Sequence, residues 1–285
     1  MFMIREQLMT TIKMAHRYGN GFTREQVYQF LPIKMDRYRF NSMVDALVST
    51  QQLREVQSIL LAENVYNSHF RHQLLSRGIF DAYKIYLKVF AHLPWVRFMA
   101  LTGSNAFESC CHEEDDIDLF VVTAGDRLWI TYLWMVLLSK LTNKRKYLCL
   151  NYLVDEDHLT VYPHNYFAAV QLLQMRPLFN AHYKEKLIAK NSWIFNELPN
   201  MTTQSNTEPF YRLKNDDPIK KIRFHNPMRH INRYIFKTYA RRLQKKYTSL
   251  IGNSIILRKG EAKLHRVDYS RSYDNHVNTL KRKVV

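Results

Sequence analysis

The sequence predicts an α+β protein in which helices flank a mixed β-sheet, in three parts that cover residues 1–65, 66–200 and 201–285. Helical spacing of apolar residues dominates the first part, and short apolar strand-like segments alternate with helical ones in the second. The third part concentrates the positive charge. With 46% hydrophobic and 13% aromatic residues, the composition excludes a disordered chain and provides ample core.

The first part is predicted to form three helices followed by two short strands. We expect helices over residues 5–18, from Thr23 to Leu31 and from Asp36 to Gln51, then a hairpin within Leu53–Val65. Thr23 and Gln26 have the spacing of a capping box, in which each side chain accepts a hydrogen bond from the other residue's backbone. This order of elements is that of a winged-helix-like module. Such modules suggest nucleic-acid binding, but they serve as often for protein contacts or for packing.

The second part alternates helices and strands. We expect a helix over residues 67–92, strands at Val96–Leu101, Asp116–Thr123 and Tyr147–Val154, a helix at Arg127–Leu141, and helical pieces at Tyr166–Met175, Ala181–Lys190 and Trp193–Leu198. The apolar face of the 127–141 helix predicts that it packs on the sheet.

The most informative stretch is a glycine-serine turn after one strand and an Asp-x-Asp pair at the start of the next. Because side chains alternate along a strand, Asp116 and Asp118 are predicted to project from one face. Two adjacent carboxylates repel each other unless a cation lies between them, and hard oxygen ligands suit Mg²⁺, or Mn²⁺. A turn at Gly103 and Ser104 would let backbone N–H groups approach a phosphate. The combination is typical of phosphoryl or nucleotidyl transfer.

This stretch resembles the signature of the DNA polymerase beta-like nucleotidyltransferase superfamily. The likeness covers roughly residues 65–200 and is closest to uncharacterised bacterial nucleotidyltransferase-domain proteins. It rests on these segments: Gly103-Ser104, Asp115-Asp-Ile-Asp-Leu-Phe120, Arg127-Leu-Trp129, Leu148-Cys-Leu-Asn-Tyr152 and Asp155-Glu-Asp-His-Leu159. The resemblance implies a metal-dependent enzyme that moves an NMP from an NTP to a hydroxyl acceptor. It also implies Asp116 and Asp118 as catalytic metal ligands, Gly103 and Ser104 at the phosphates, and Lys146 or Arg145 at the leaving pyrophosphate.

One position departs from the family pattern. The family usually has a third carboxylate on the strand that here carries Asn151. An amide oxygen can bind Mg²⁺ but cannot act as a base. Asp155 has the same strand parity and could complete the metal shell if the strand extends that far; otherwise it belongs to an acidic turn. The alternative function is therefore a nucleotide- or nucleic-acid-binding regulatory protein with a catalytically decayed transferase fold.

The third part is basic. Residues 201–285 contain 20 lysines and arginines against 6 acidic residues, out of a net charge of +17 for the whole chain. We expect a polar connection over 201–217, a basic amphipathic helix beyond Pro227, and a frayed end at 281–285. The charge suggests RNA or another anionic acceptor as partner, and a solvated surface is the alternative.

The remaining sequence features indicate the cellular compartment. Three cysteines do not make a disulfide framework or a CxxC zinc site, and no secretory signal is recognised. The most apolar run, Leu128–Leu138, is too short to span a bilayer, so no transmembrane segment is expected. We therefore expect a cytoplasmic protein.

Overall fold

A six-stranded mixed sheet lies at the centre of the computed structural model, which describes residues 2–16, 19–62, 66–201, 212–213, 227–251 and 254–265. The helices are α1 (Phe2–His16), α2 (Arg24–Phe30), α3 (Arg37–Ser49), α4 (Tyr66–Ala91), α5 (Gly103–Ala106), α6 (Leu128–Leu141), α7 (Tyr166–Gln174), α8 (His182–Lys190), α9 (Ile194–Glu197) and α10 (Pro227–Lys246). The strands are β1 (Phe22–Thr23), β2 (Arg54–Val56), β3 (Ile59–Leu61), β4 (Val96–Leu101), β5 (Ile117–Thr123), β6 (Leu148–Asp155), β7 (Arg176–Phe179), β8 (Ile255–Arg258) and β9 (Glu261–Leu264). The predicted α+β class with a mixed sheet is confirmed.

The large sheet has the strand order β7-β4-β5-β6-β9-β8. Strands β5 and β6 are parallel, and the other neighbouring pairs are antiparallel. Strand β4 is buried at all six positions, as expected for a strand that is covered on both faces. One face packs against α4, α6 and α10, and the other against α7, α8 and α9. The sheet therefore supports two cores, and the ends of its central strands carry the candidate site.

The N-terminal elements form a small unit of their own around buried apolar residues such as Leu8, Phe40 and Leu60. Its three strands pair antiparallel in the order β1-β3-β2. The predicted capping box is confirmed, because Thr23 Oγ1 accepts from the Gln26 N–H at 3.2 Å and Gln26 Oε1 accepts from the Thr23 N–H at 2.9 Å. Asp36 caps α3 by accepting from the Arg39 N–H.

Three strands of the large sheet were not predicted. The edge strand β7 lies in a stretch between two predicted helical segments and contains Pro177, which an edge position tolerates. Strands β8 and β9 form a hairpin, and β9 pairs with β6. The central sheet thus crosses the predicted boundary at residue 200 and includes residues from the basic third part.

The predicted helix beyond Pro227 is present as α10, which packs against α6. The predicted polar connection over 201–217 lies largely outside the described residues, and the predicted frayed end at 281–285 lies wholly outside them. Among the helices that the structure describes, none combines the length and hydrophobicity that a membrane span requires.

Candidate functional site

The candidate site lies where β4 ends and β5 begins. The antiparallel pairing of these strands places Leu101 opposite Leu119. The Thr102 N–H then donates to the Asp118 carbonyl oxygen at 2.9 Å, and the short helix α5 starts at Gly103. The chain connectivity therefore brings the glycine-serine turn directly beside the Asp-x-Asp pair.

Gly103 is required at its position for two independent reasons. Its φ of +59° lies in the left-handed region that favours glycine. A Cβ atom added there would overlap the Asp118 carboxylate, which packs directly on the glycine backbone. The Asp118 carboxylate thus occupies the space that a side chain at position 103 would need.

The structure brings Asp116 and Asp118 together and adds a third side chain, Cys149. One ligand atom from each of the three lies within 4.8 Å of the others. Cys149 is the residue directly opposite Asp118 on the neighbouring parallel strand, so both side chains project from one face of the sheet. Asp116 is exposed, and the other two residues are half-buried.

The electrostatics of this group favour a cation. Burial, and after it the nearby charge of Asp116, raise the pKa of Asp118 to about 7, even though a hydrogen bond from the Cys149 thiol opposes the shift. A divalent cation would remove the repulsion between the carboxylates. Two carboxylates and a sulfur are also a donor set that such ions accept.

Asn105 fixes the backbone next to the carboxylate pair. Its Nδ2 donates to the Asp116 carbonyl oxygen at 2.8 Å. Its Oδ1 is buried and has no hydrogen-bond partner among the described residues. Asn105 is not among the residues that line the cavity described below, so its role in the site is to hold the Asp116 backbone.

Asn151 and Asp155, the two candidates for a third metal ligand, lie in different surroundings. The β5–β6 register shifts between Leu150 and Tyr152, which makes Asn151 the extra residue of a β-bulge that lines the cavity described below. The bulge reverses the alternation, so Tyr152 and Val154 continue the face that carries Cys149. Asp155 falls on the opposite face.

The structure therefore does not bring Asp155 to the Asp116–Asp118 pair. Asp155 pairs with Thr123, six residues further along β6 than Cys149, which is about 20 Å. Its Oδ1 accepts from the Asp157 N–H at 3.1 Å and lies 2.5 Å from His158 Nδ1. Of the two alternatives, the geometry agrees with an acidic turn stabilised by its own hydrogen bonds.

The two groups predicted to bind phosphate, the Gly103 N–H and the Ser104 hydroxyl, already have contacts within the protein. The Gly103 N–H donates to Gln171 Oε1 at 3.1 Å, so an incoming phosphate would have to replace this amide. Cys110 Sγ lies 3.6 Å from Ser104 Oγ. Both Gly103 and Ser104 line the cavity.

The two basic residues before β6 differ in orientation. Arg145 Nη1 donates to the Leu148 carbonyl oxygen at 2.9 Å. Lys146 is exposed and forms an ion pair with Glu114 on the loop between β4 and β5. Both side chains line the cavity, and the Lys146 ammonium is the one that a ligand can recruit by exchanging one exposed ion pair for another.

A cavity of about 680 Å³ opens onto this group. Its polar end contains Gly103, Ser104, Asp116, Asp118 and Cys149. Much of the remaining lining is aromatic and includes Phe30, Phe107, Phe120, Tyr152, Tyr166 and Phe167. A volume in this range and an apolar wall with a few polar groups at one end are typical of a small-molecule site.

The N-terminal unit forms part of the cavity wall. Phe22 and Phe30 contact Phe107 with ring centroids 6.3 and 6.4 Å apart. The Tyr166 hydroxyl donates to the Phe30 carbonyl oxygen at 2.7 Å. The small unit and the large sheet therefore share one ligand cavity.

Helix α10 presents a row of cations away from the sheet. Arg233, Lys237, Arg241 and Lys245 are exposed at every fourth position, whereas Asn232, Ile235 and Ala240 are buried. The predicted amphipathic arrangement is confirmed for this helix.

Comparisons with protein-family models, with curated proteins and with solved structures found no match to this chain.

Sequence reasoning missed Cys149, Gln171 and Asn105. Strand parity alone could have indicated Cys149, which alternates with Asn151 in the segment Leu148-Cys-Leu-Asn. Nothing in the sequence connects Gln171 with Gly103, because 68 positions separate them and only the packing of α7 brings them together.

Proposed function

We propose that this protein is a metal-dependent nucleotidyltransferase that moves an NMP from an NTP to a hydroxyl acceptor. The observation that supports it most is the grouping of Asp116, Asp118 and Cys149 within 4.8 Å at the polar end of a 680 Å³ cavity, with Gly103 packed on the Asp118 carboxylate. Few other chemistries need paired carboxylates next to a glycine-serine turn.

We propose the fold that goes with this activity. The central sheet is of the DNA polymerase beta-like nucleotidyltransferase kind, and the α1–β3 unit is a winged-helix-like module. Supporting the second assignment, the unit contains the three predicted helices followed by two strands, with an additional short strand, β1, between α1 and α2. Its third helix has little for DNA to recognise, because Arg37 forms an ion pair with Glu25 and stacks over Tyr28 at 4.0 Å. In this proposal the module closes the cavity.

The residues have distinct tasks. Asp116 and Asp118 would hold Mg²⁺ or Mn²⁺, and such an ion would neutralise triphosphate charge and acidify the acceptor hydroxyl. Lys146 leaves Glu114 and neutralises charge on the departing pyrophosphate. Ser104 and the Gly103 N–H bind the β- and γ-phosphates once Gln171 is displaced.

The transfer itself is a substitution at the α-phosphorus. The acceptor oxygen forms a bond to that phosphorus, the bond from phosphorus to the bridging oxygen of the β-phosphate breaks, and pyrophosphate leaves with the electron pair. The acceptor's proton passes to solvent. The aromatic lining of the cavity excludes water and stacks on the base or the acceptor. The exposed cations of α10 provide a surface for RNA or another anionic acceptor.

The test is transfer of label from each α-labelled NTP, with Mg²⁺ or Mn²⁺, to total RNA, protein or a small-molecule extract. We expect one acceptor fraction to become labelled by the unmodified protein and by Asp81→Asn, a control on the exposed face of α4. Asp116→Ala/Asp118→Ala should abolish the labelling while the far-UV circular dichroism stays unchanged. Labelling that persists in the double variant would show that another site transfers the nucleotide.

A second candidate is a regulatory protein that binds a nucleotide or nucleic acid without turnover. The observation that favours it is that β6 offers Cys149 and Asn151, and no carboxylate, on the cavity side. For this candidate we expect metal-dependent nucleotide binding, or a salt-sensitive nucleic-acid shift, with no label transferred to any fraction.

A further inference from the structure

The side chain opposite Asp118 is a thiol, and this has consequences for the metal. Cys149 is the direct register partner of Asp118, and its sulfur belongs to the group of ligand atoms within 4.8 Å. In a tetrahedral site with metal–sulfur and metal–oxygen distances of about 2.3 and 2.1 Å, two ligand atoms are about 3.6 Å apart. Small side-chain rotations would bring all three atoms to such a centre.

We propose that Cys149 is a metal ligand, so that Asp116, Asp118 and Cys149 form a centre for a divalent transition-metal ion and discriminate against Mg²⁺. This rests on the proposed function in that it uses the same carboxylate pair. Thiolate sulfur binds Co²⁺ and Zn²⁺, whereas Mg²⁺ takes oxygen ligands and keeps its water. The thiol of Cys149, which β6 places beside Asp118, therefore determines which class of metal ion binds.

The surroundings of the thiol support this role. Cys149 donates a hydrogen bond to Asp118 and lines the cavity, so an ion that enters can reach its sulfur. On binding, the sulfur–metal bond forms and the thiol proton is released to solvent, with no change in oxidation state. Cys110, by contrast, is fully buried and lies against Ser104.

The chain contains a matched control. Cys111 is half-buried, as Cys149 is, and none of the three cysteines forms a disulfide. Cys111 Sγ lies 3.5 Å from the Ser109 carbonyl oxygen, and the residue is not part of the ligand group. Replacing it removes a thiol that lines the same cavity without removing a member of the ligand group.

The first experiment titrates Co²⁺ into the metal-stripped full-length protein and records the sulfur-to-cobalt charge-transfer absorption in the near ultraviolet. We expect the band in the unmodified protein and in Cys111→Ser, and its loss in Cys149→Ser and in Asp116→Asn/Asp118→Asn. Zn²⁺ affinity should fall at least about tenfold in Cys149→Ser, whereas the Mg²⁺ affinity should stay within about twofold. A cobalt spectrum without a sulfur band, or a band that survives in Cys149→Ser, overturns the proposal.

A second experiment needs no variant. Iodoacetamide alkylation of Cys149 and Cys111 is followed by peptide mass spectrometry with Co²⁺, Zn²⁺, Mg²⁺ or no metal. We expect Co²⁺ and Zn²⁺ to slow Cys149 alkylation at least about tenfold, with Mg²⁺ ineffective and Cys111 unaffected. Equal rates with and without Zn²⁺ at Cys149 overturn the proposal.

The outcomes also separate this inference from the proposed function. A sulfur band in a protein that transfers no label supports the thiolate centre and contradicts the transferase. Label transfer with Mg²⁺ by a protein that shows no sulfur band supports the transferase and contradicts the thiolate centre.

Discussion

At the scale of single residues, Gly103 connects backbone conformation with the chemistry of the site. Its positive φ and its contact with the Asp118 carboxylate are both incompatible with a side chain. We predict that Gly103→Ala destabilises the protein by about 1 kcal/mol or more and weakens Mn²⁺ binding, because the new Cβ displaces Asp118. Thermal unfolding and Mn²⁺ titration measure the two effects.

Gly78 is the matched control for this substitution. It lies on an exposed position of the long helix α4, and an added Cβ would meet nothing within 4 Å. Gly78→Ala should stabilise the protein by about 0.5–1 kcal/mol and leave Mn²⁺ binding unchanged. Equal Mn²⁺ affinities for the two alanine variants would argue against a structural role of Gly103 in the site.

Lys184, which lies outside the carboxylate pair, makes the stability of the protein depend on pH. Its Nζ is buried and donates to the carbonyl oxygens of Leu173 and Met175 at 2.7 and 3.0 Å. Burial, and after it the charge of Arg176, lower the pKa of Lys184 to about 7. Above pH 7 the folded side chain is therefore neutral, whereas the unfolded one still binds a proton up to its ordinary value of 10.5.

Stability consequently rises with pH in this window, because the unfolded state binds more protons. Between pH 7 and pH 9 we predict that the free energy of unfolding of the unmodified protein increases relative to that of Lys184→Met by about 2–3 kcal/mol. Urea unfolding at both pH values measures the difference. Parallel pH profiles for the two proteins would show that Lys184 is protonated in the folded state.

At the scale of elements, α6 is capped by a residue from a distant helix. Arg127 at its N-cap position makes no side-chain capping bond. Asn232 Oδ1, on α10, instead accepts from the N–H groups of Trp129 and Ile130 at 2.9 and 3.0 Å. Asn232 is fully buried, so water does not replace it if the side chain is removed.

We predict that Asn232→Ala lowers the free energy of unfolding by about 2 kcal/mol, because two buried donors lose their acceptor. Thr238→Ala, at an exposed position of the same helix, should change it by less than about 0.5 kcal/mol. Chemical denaturation of both variants measures the contrast. A similar small effect for both would mean that α10 contributes little to the stability of α6.

At the scale of the whole molecule, the β8–β9 hairpin ties the basic third part of the sequence to the central sheet. Strand β9 pairs with β6 through Tyr152, Leu153 and Val154, and the Asp155 N–H donates to the Gly260 carbonyl oxygen at 3.0 Å. We predict that peptides covering 261–264 exchange their amide hydrogens about as slowly as peptides covering 148–155, because β9 pairs with a strand on each side and belongs to the same cooperative sheet. Hydrogen-exchange mass spectrometry tests this, and fast exchange confined to 261–264 would contradict it.

The sequence predicted elements whose signals are local. The strand Val96–Leu101 has its predicted bounds, and the capping box at Thr23 is present. Both depend on nearby residues, through continuous hydrophobicity in one case and a three-residue spacing in the other.

The elements and contacts that were missed depend on tertiary pairing. Strands β7, β8 and β9 have four residues each and are held by neighbours distant in sequence. The bulge at Asn151 reverses strand alternation, and for this reason parity could not decide the position of Asp155. The same parity argument held at Asp116 and Asp118, where β5 begins.

The central claim is that the Asp116–Asp118 pair holds a metal–nucleotide complex in the cavity. The most direct measurement is Mn²⁺-dependent binding of a non-hydrolysable NTP analogue by calorimetry, for the unmodified protein, Asp116→Asn/Asp118→Asn and Asp155→Asn. We predict that the double variant loses at least about tenfold in affinity and that Asp155→Asn, once shown to be folded, binds as the unmodified protein does. Equal affinity of the unmodified protein and the double variant, or a loss confined to Asp155→Asn, would contradict the account.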